Sequence, residues 1–264
     1  MSEITDRFKQ LKEKDKKAFV LYLTFGFPSI DITRKILFSL GDSPVDLVEL
    51  GLPFSDPLAD GPILQEASNI ALENGANVDN FFSFLKELKG VRRQIKIPLI
   101  IMTYYNLVLQ FGPRRFLANA RQCGISGIMI VDLPIEEASC YIDQARSFNL
   151  DTIFFVTPET TQERMKKIVE ASRGFVYYIS ATGITGPRSL SLESIRSHAE
   201  AIKKVSNLPV CVGFGIHNKK QVKSLGKVSD GVIVGSVVAR FIKENYKTKN
   251  FVNNLNNFLK NLYV

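Results

Sequence analysis

Short apolar runs, rich in β-branched and aromatic residues, recur along the whole chain with amphipathic stretches between them. The runs are Phe19–Phe25, Asp46–Gly51, Ile97–Thr103, Gly127–Val131, Thr152–Val156, Phe175–Ser180, Pro209–Gly213 and Gly231–Gly235. Between them, Pro113–Gln122, Ile135–Phe148, Gln162–Ala171 and Leu192–Val205 carry apolar residues at helical spacing. A strand that is apolar along its length is buried on both faces, and strands alternating with helices build a parallel sheet covered by helices. Eight such units in 264 residues predict an α/β fold, a (β/α)8 barrel, with a doubly wound open sheet as the alternative topology. No linker, low-complexity tract or charge block divides residues 1–264, which read as one barrel domain.

Two further helices are expected. Ile4, Phe8 and Leu11 have helical spacing ahead of the first strand and suit a plug for the barrel's N-terminal end. Phe251, Leu255, Phe258, Leu259 and Leu262 repeat that spacing at the C-terminus and suit packing on the outside. The segment from Pro62 to Gly90 is long enough for two helices, broken near Gly75-Ala76-Asn77.

Composition narrows the function classes. The 3 cysteines, Cys123, Cys140 and Cys211, form no CxxC and argue for a reducing compartment. No apolar run is long enough to span a bilayer. Phe19 to Phe27 follows lysines and imitates a signal sequence, but it lacks a small-residue cleavage site and reads as a buried strand. The cytoplasm is the expected location. The net charge of +8 is spread along the chain without a basic–aromatic stripe, which speaks against nucleic-acid binding. A solvated basic surface or mild steering of an anionic substrate accounts for it. No His/Cys ligand cluster exists to hold a metal: His198 and His217 are the only histidines, and His217 reads as an ordinary helix-start residue.

The chemistry concentrates after the second strand, in Glu49-Leu50-Gly51-Leu52-Pro53-Phe54-Ser55-Asp56-Pro57-Leu58-Ala59-Asp60-Gly61-Pro62. Catalytic groups of a barrel sit at the C-terminal strand ends and in the loops that follow. Glu49 shares a strand face with Leu47 and Gly51; if that face points inward, a carboxyl lies among apolar side chains with its pKa raised. A proton-shuttle role and a purely structural hydrogen-bonding role stand level on this stretch alone. Asp60-Gly61-Pro62 reads by itself as a helix N-cap followed by a first-turn proline. Asp56 before Pro57 suits a turn.

Two other stretches point to an anion. Gly213-Phe214-Gly215-Ile216 ends the seventh strand, and Gly235-Ser236 ends the eighth one βα unit later. Glycines let backbone N–H groups approach a phosphate, and a helix N-terminus adds a favourable dipole; two tight βα turns are the bland alternative. Ser180-Ala181-Thr182-Gly183-Ile184-Thr185-Gly186-Pro187-Arg188 follows the sixth strand and suits a lid, with Gly186 able to offer its N–H to the phosphate. Tyr22, Tyr104, Phe155, Tyr177 and Phe214 fall at or near strand ends and would suit a flat aromatic substrate, though each singly reads as core.

Together these stretches resemble the tryptophan synthase alpha subunit family, across essentially the whole chain. ELGLPFSDPLADGP is close to a family signature; SATGITG, VGFGI and VGS stand in the matching order, and Asn106 and Asp132-Leu133-Pro134 match as well. The resemblance implies a (β/α)8 barrel that cleaves indole-3-glycerol phosphate to indole and glyceraldehyde 3-phosphate. It implies a partner, the pyridoxal-phosphate-dependent beta subunit, in an alpha2beta2 heterotetramer that receives indole through a tunnel, and no cofactor in this chain. It implies Glu49 as proton shuttle and Asp60 as acceptor from the indole N–H. It implies Gly186, Gly215, Gly235 and Ser236 at the phosphate, with Gly213 and Phe214 in the same loop. Tyr22, Met102, Tyr104, Met129, Phe155, Tyr177 and Thr185 would line or close the pocket. The chain departs from the family pattern at Phe27 (often aspartate), Ala181 (often arginine) and Tyr22 (often phenylalanine). The first two bear on signalling between subunits. A related indole-glycerol-phosphate synthase would need a lysine in the barrel mouth, which these strand ends lack, and a non-catalytic interaction subunit would not need Glu49 and Asp60.

Overall fold

The computed structural model describes residues 2–91, 97–180, 191–213 and 215–263. Its strands are β1 (Ala18–Thr24), β2 (Leu47–Gly51), β3 (Leu99–Thr103), β4 (Gly127–Ile130), β5 (Asp151–Thr152), β6 (Phe155–Val156), β7 (Val176–Ile179), β8 (Val210–Gly213) and β9 (Gly231–Val234). They pair in parallel in the order β5-β4-β3-β2-β1-β9-β8-β7-β6. Only Ile153 and Phe154 separate β5 from β6, so these are two halves of one barrel strand and the ladder closes on itself. The chain is a (β/α)8 barrel, as the eight repeats predict.

The sequence suggests an unbroken fifth strand, Thr152–Val156; the structure divides it. The lower half pairs with β4 and the upper half with β7. At the crossover the Ile153 N–H donates to the Ile128 carbonyl at 3.2 Å and the Tyr177 N–H to the Phe154 carbonyl at 3.1 Å. The strand thus changes partner while its buried backbone groups stay bonded.

Alternation sorts the strand side chains between two cores. Val20, Leu47, Ile100, Met129, Phe175, Cys211 and Ile233 point into the barrel and form one buried cluster. Their neighbours along the chain, such as Phe19, Leu21, Val48, Leu50 and Ile101, point outward into a second cluster under the helices. Phe27 is buried in that outer cluster.

The N-terminal helix Glu3–Glu13 closes the barrel floor as expected: Ile4, Phe8 and Leu11 join the inner cluster. The Phe8 ring lies 5.9 Å from that of Phe175. A side chain on Gly127 would put its Cβ 2.9 Å from Ile4 Cδ1, so glycine there gives the plug its seat. The Ser2 hydroxyl caps the helix and also donates to the Asp151 carboxylate, while Ser126 Oγ donates to Glu3 Oε2 at 2.6 Å. At the other end of the chain, Phe251–Tyr263 buries Phe251, Leu255, Leu259 and Leu262 on the outside of the barrel. After β2 come two helices, Pro62–Glu73 and Val78–Val91, broken where expected. No helix of the described residues is long and apolar enough to cross a membrane.

Candidate active site

Glu49 stands in the middle of β2, in register with Tyr22 of β1 and Ile100 of β3. Leu47, two residues earlier, belongs to the inner cluster, so alternation turns Glu49 inward too. Its side chain is 1% exposed, and Oε1 is buried without a hydrogen-bond partner. Burial alone pushes its pKa up to about 8. The carboxyl is therefore held protonated at neutral pH, and its proton can be given away.

Asp60 does not cap the helix that follows. Gly61 occupies the N-cap position in an extended conformation with no side-chain cap bond. The Asp60 carboxylate turns instead toward Tyr104, whose hydroxyl donates to Oδ2 at 3.1 Å and accepts from the Ala59 N–H at 3.1 Å. The Phe54 ring stacks on Tyr104 at 5.1 Å, so both ends of the acidic loop rest on one phenol. The Gln65 amide holds the Asp60 carbonyl at 2.9 Å. Burial pushes the Asp60 pKa up to about 6, against the opposing pull of the Tyr104 hydrogen bond. Asp60 is thus ionised at neutral pH while Glu49 is protonated, two carboxyls poised for different work.

The loops after β8 and β9 add a cradle of backbone to the same cavity. Gly215 has φ +71°, a left-handed conformation that disfavours any side chain, and it is exposed. Gly235 precedes the helix Ser236–Asn245 and offers it no side-chain cap, and while the Val238 N–H donates to the Gly235 carbonyl at 2.9 Å, the helix start suits an anion at its first N–H groups. Ser236 adds a hydroxyl at the same point. A helix start built this way suits a phosphate.

These groups face one cavity of about 1170 Å³. Glu49, Asp60, Tyr22, Met102, Phe155 and Tyr177 line it together with Gly215, Gly235 and Ser236. Three further expected residues lie behind the wall. Met129 faces inward but is wholly buried in the inner cluster, Tyr104 backs Asp60, and Gly213 makes room for the Tyr177 ring. A Cβ on Gly213 would lie 2.7 Å from Tyr177 Cζ. Thr185, Gly186 and Phe214, with the expected lid, lie outside the described residues.

The sequence reading left some supports unassigned. Phe54 sits inside the acidic run, but nothing local shows that it stacks on a tyrosine from another strand end. Asp132 Oδ1 accepts the Tyr105 N–H at 2.7 Å, tying the loop after β4 to the one after β3. Lys220 and Arg164 also line the cavity; Arg164 is engaged by Glu136 at 2.8 Å, and Lys220 has no ion pair among the described residues. No group of three or more His, Cys, Asp or Glu suited to a metal ion occurs among the described residues.

Known proteins share this sequence and fold. The family model described as "Tryptophan synthase alpha chain" matches residues 8–262. The tryptophan synthase alpha chain of Petrotoga mobilis is 37% identical, with 100% of both chains covered. That of Geotalea daltonii is 41% identical over 91% of this chain and 90% of its own. Among solved structures, tryptophan synthase subunit alpha from Legionella pneumophila superposes with a TM-score of 0.90 at 31% identity, covering 100% of this chain and 97% of that one. A chain of the tryptophan synthase complex from Pyrococcus furiosus superposes with a TM-score of 0.81 at 34% identity, covering 93% and 97%. With the match running nearly end to end, the chain belongs to the tryptophan synthase alpha chain family.

Proposed function

We propose that Glu49 and Asp60 carry out, in this chain, the lyase reaction of its family: cleavage of indole-3-glycerol phosphate to indole and glyceraldehyde 3-phosphate. Family membership supplies the reaction and the beta subunit as partner, in an alpha2beta2 assembly. The cavity supports the residue roles.

Protonated Glu49 gives its proton to C3 of the indole ring. The ring becomes an indoleninium cation, and ionised Asp60 accepts a hydrogen bond from its N–H and stabilises the charge. Glu49, now a carboxylate, takes the proton of the adjacent glyceryl hydroxyl. A carbonyl forms there as the C–C bond breaks, and the bonding pair returns to the ring to leave neutral indole. Glu49 ends protonated, as it began, so a single carboxyl of raised pKa serves both transfers. The Gly215 and Gly235–Ser236 cradle grips the phosphate and fixes C3 against Glu49. Acid–base chemistry suffices for these steps, so the reading assigns no metal or cofactor to this chain and leaves pyridoxal phosphate to the beta subunit. We assign the protein to the cytoplasm, a reading supported by its three free cysteines.

The observation that carries the assignment is the buried Glu49 carboxyl, its Oε1 without a hydrogen-bond partner among the described residues, lining one cavity with the glycine cradle. Glu49→Gln keeps the shape and removes the transferable proton. Indole formation should fall by at least about a hundredfold, while the circular dichroism spectrum and binding to the beta subunit are retained. An unchanged cleavage rate would remove Glu49 from its role.

A further inference from the structure

β1 lies between β2, which carries Glu49, and β9, which leads into the phosphate cradle. Tyr22 is the inward residue of β1 at the level of Glu49, and it is buried. Its ring bridges the two neighbouring strands, at places where both lack a side chain. A Cβ on Gly235 would stand 3.1 Å from Tyr22 Cδ1 and 3.3 Å from Tyr22 Cβ. A Cβ on Gly51 would stand 2.7 Å from Tyr22 Cε2 and Cζ, and nearer still to its hydroxyl. One edge of the ring therefore rests where the helix Ser236–Asn245 begins, and the other rests two residues beyond Glu49. Thr24 Oγ1 donates to the phenol oxygen at 3.4 Å and steadies the tip. Burial, with Asp60 nearby, raises the Tyr22 pKa and keeps the phenol neutral.

We propose that Tyr22 is a positioning residue, a rigid strut lodged between the bare backbones of Gly235 and Gly51 that fixes the span from the phosphate cradle to the two carboxylates. The inference rests on the lyase reading above. The substrate it serves has two ends, a phosphate held at β9 and an indole ring that must present C3 to Glu49 on β2. An aromatic side chain has few rotatable bonds, and packing at both edges leaves it one position. A span set wrongly by about an ångström costs on the order of a hundredfold in rate while leaving each end able to bind its own fragment.

The test is a double-mutant cycle on the full chain in complex with its beta subunit. Gly51→Ala displaces the ring and should lower kcat for indole-3-glycerol phosphate at least about tenfold. The Kd of glycerol 3-phosphate, which uses the cradle alone, should change by less than about twofold. In a Tyr22→Leu background, already slowed by loss of the strut, the same Gly51→Ala change should cost less than about twofold, because nothing is left to displace. Equal losses in both backgrounds, or a fall in glycerol 3-phosphate affinity that tracks kcat, would overturn the strut. Should Gly51→Ala not fold, Tyr22→Phe and Tyr22→Leu decide the matter. Phe keeps the ring and should retain a kcat at least about tenfold above that of Leu, with equal glycerol 3-phosphate affinity; equal kcat values would overturn the proposal. An inactive Glu49→Gln beside an additive cycle removes the strut alone, whereas an active Glu49→Gln removes the reading beneath it.

Discussion

Glu49 loses stability for the fold whenever it ionises, because the carboxyl is buried and its Oε1 has no hydrogen-bond partner among the described residues. Its pKa is raised in the native state, to about 8. The native state therefore holds the proton more tightly than the unfolded chain does. Its contribution to stability is complete below the ordinary carboxyl range and declines as pH rises toward about 8. Glu49→Gln cannot ionise, so it should gain on the wild type by up to about 5 kcal/mol above that pH, with the gain absent below the ordinary carboxyl range. Urea unfolding on both sides of the window measures this; an equal difference throughout would show that Glu49 is not raised. The proposed mechanism needs Glu49 protonated and Asp60 ionised, so kcat should be bell-shaped between about 6 and about 8. The Tyr104 hydrogen bond lowers the Asp60 pKa. Tyr104→Phe removes it and should shift the acid limb toward neutral pH; an unmoved limb would assign that limb to another group. Neither carboxyl was settled by its neighbours in sequence. Glu49 depends on what surrounds it in space, and Asp60 exchanged a helix cap for the hydroxyl of Tyr104, brought in by another strand end.

Periodicity carries the elements. Eight apolar runs and the helical spacings between them show strand faces, plug and outer helix, because burial on two faces or one stripe is written directly into residue order. What periodicity carries less well is depth. Met102 and Met129 pair across β3 and β4 and both point inward, yet only Met102 reaches the cavity. The division of the fifth strand is hidden for a similar reason: Ile153 and Phe154 are as apolar as a continuous strand requires, and the change of partner depends on barrel closure. The plug helix was legible, and its energetics can be tested. Ile4 is 0% exposed and seated on Gly127. Ile4→Ala should cost about 2–5 kcal/mol in unfolding free energy, with kcat nearly unchanged because the floor lies at the opposite end from the cavity. A loss below about 0.5 kcal/mol, the level of an ordinary surface substitution, would show that the helix contributes little to the core.

At the scale of the whole molecule, the phosphate end meets a surplus of cations. The net charge is +8, and Lys220 lines the cavity on the helix that follows Gly215. An exposed ammonium is screened by salt, whereas backbone N–H groups at a helix start are less so. KM for indole-3-glycerol phosphate should therefore rise with ionic strength in the wild type and rise less in Lys220→Gln. Identical salt dependence would leave the whole attraction to the cradle.

The seated plug has a consequence for traffic. A barrel stoppered at one end is a cul-de-sac: whatever enters at the mouth must leave at the mouth, and each turnover has to clear before the next begins. On the proposed mechanism, indole formed beside Glu49 leaves through that mouth, whose rim includes the acidic loop with Leu58 76% exposed. A partner seated over that rim would stand in the product's way out. The stoppered floor, on the far side from the proposed chemistry, turns a container with two openings into one with a single shared doorway.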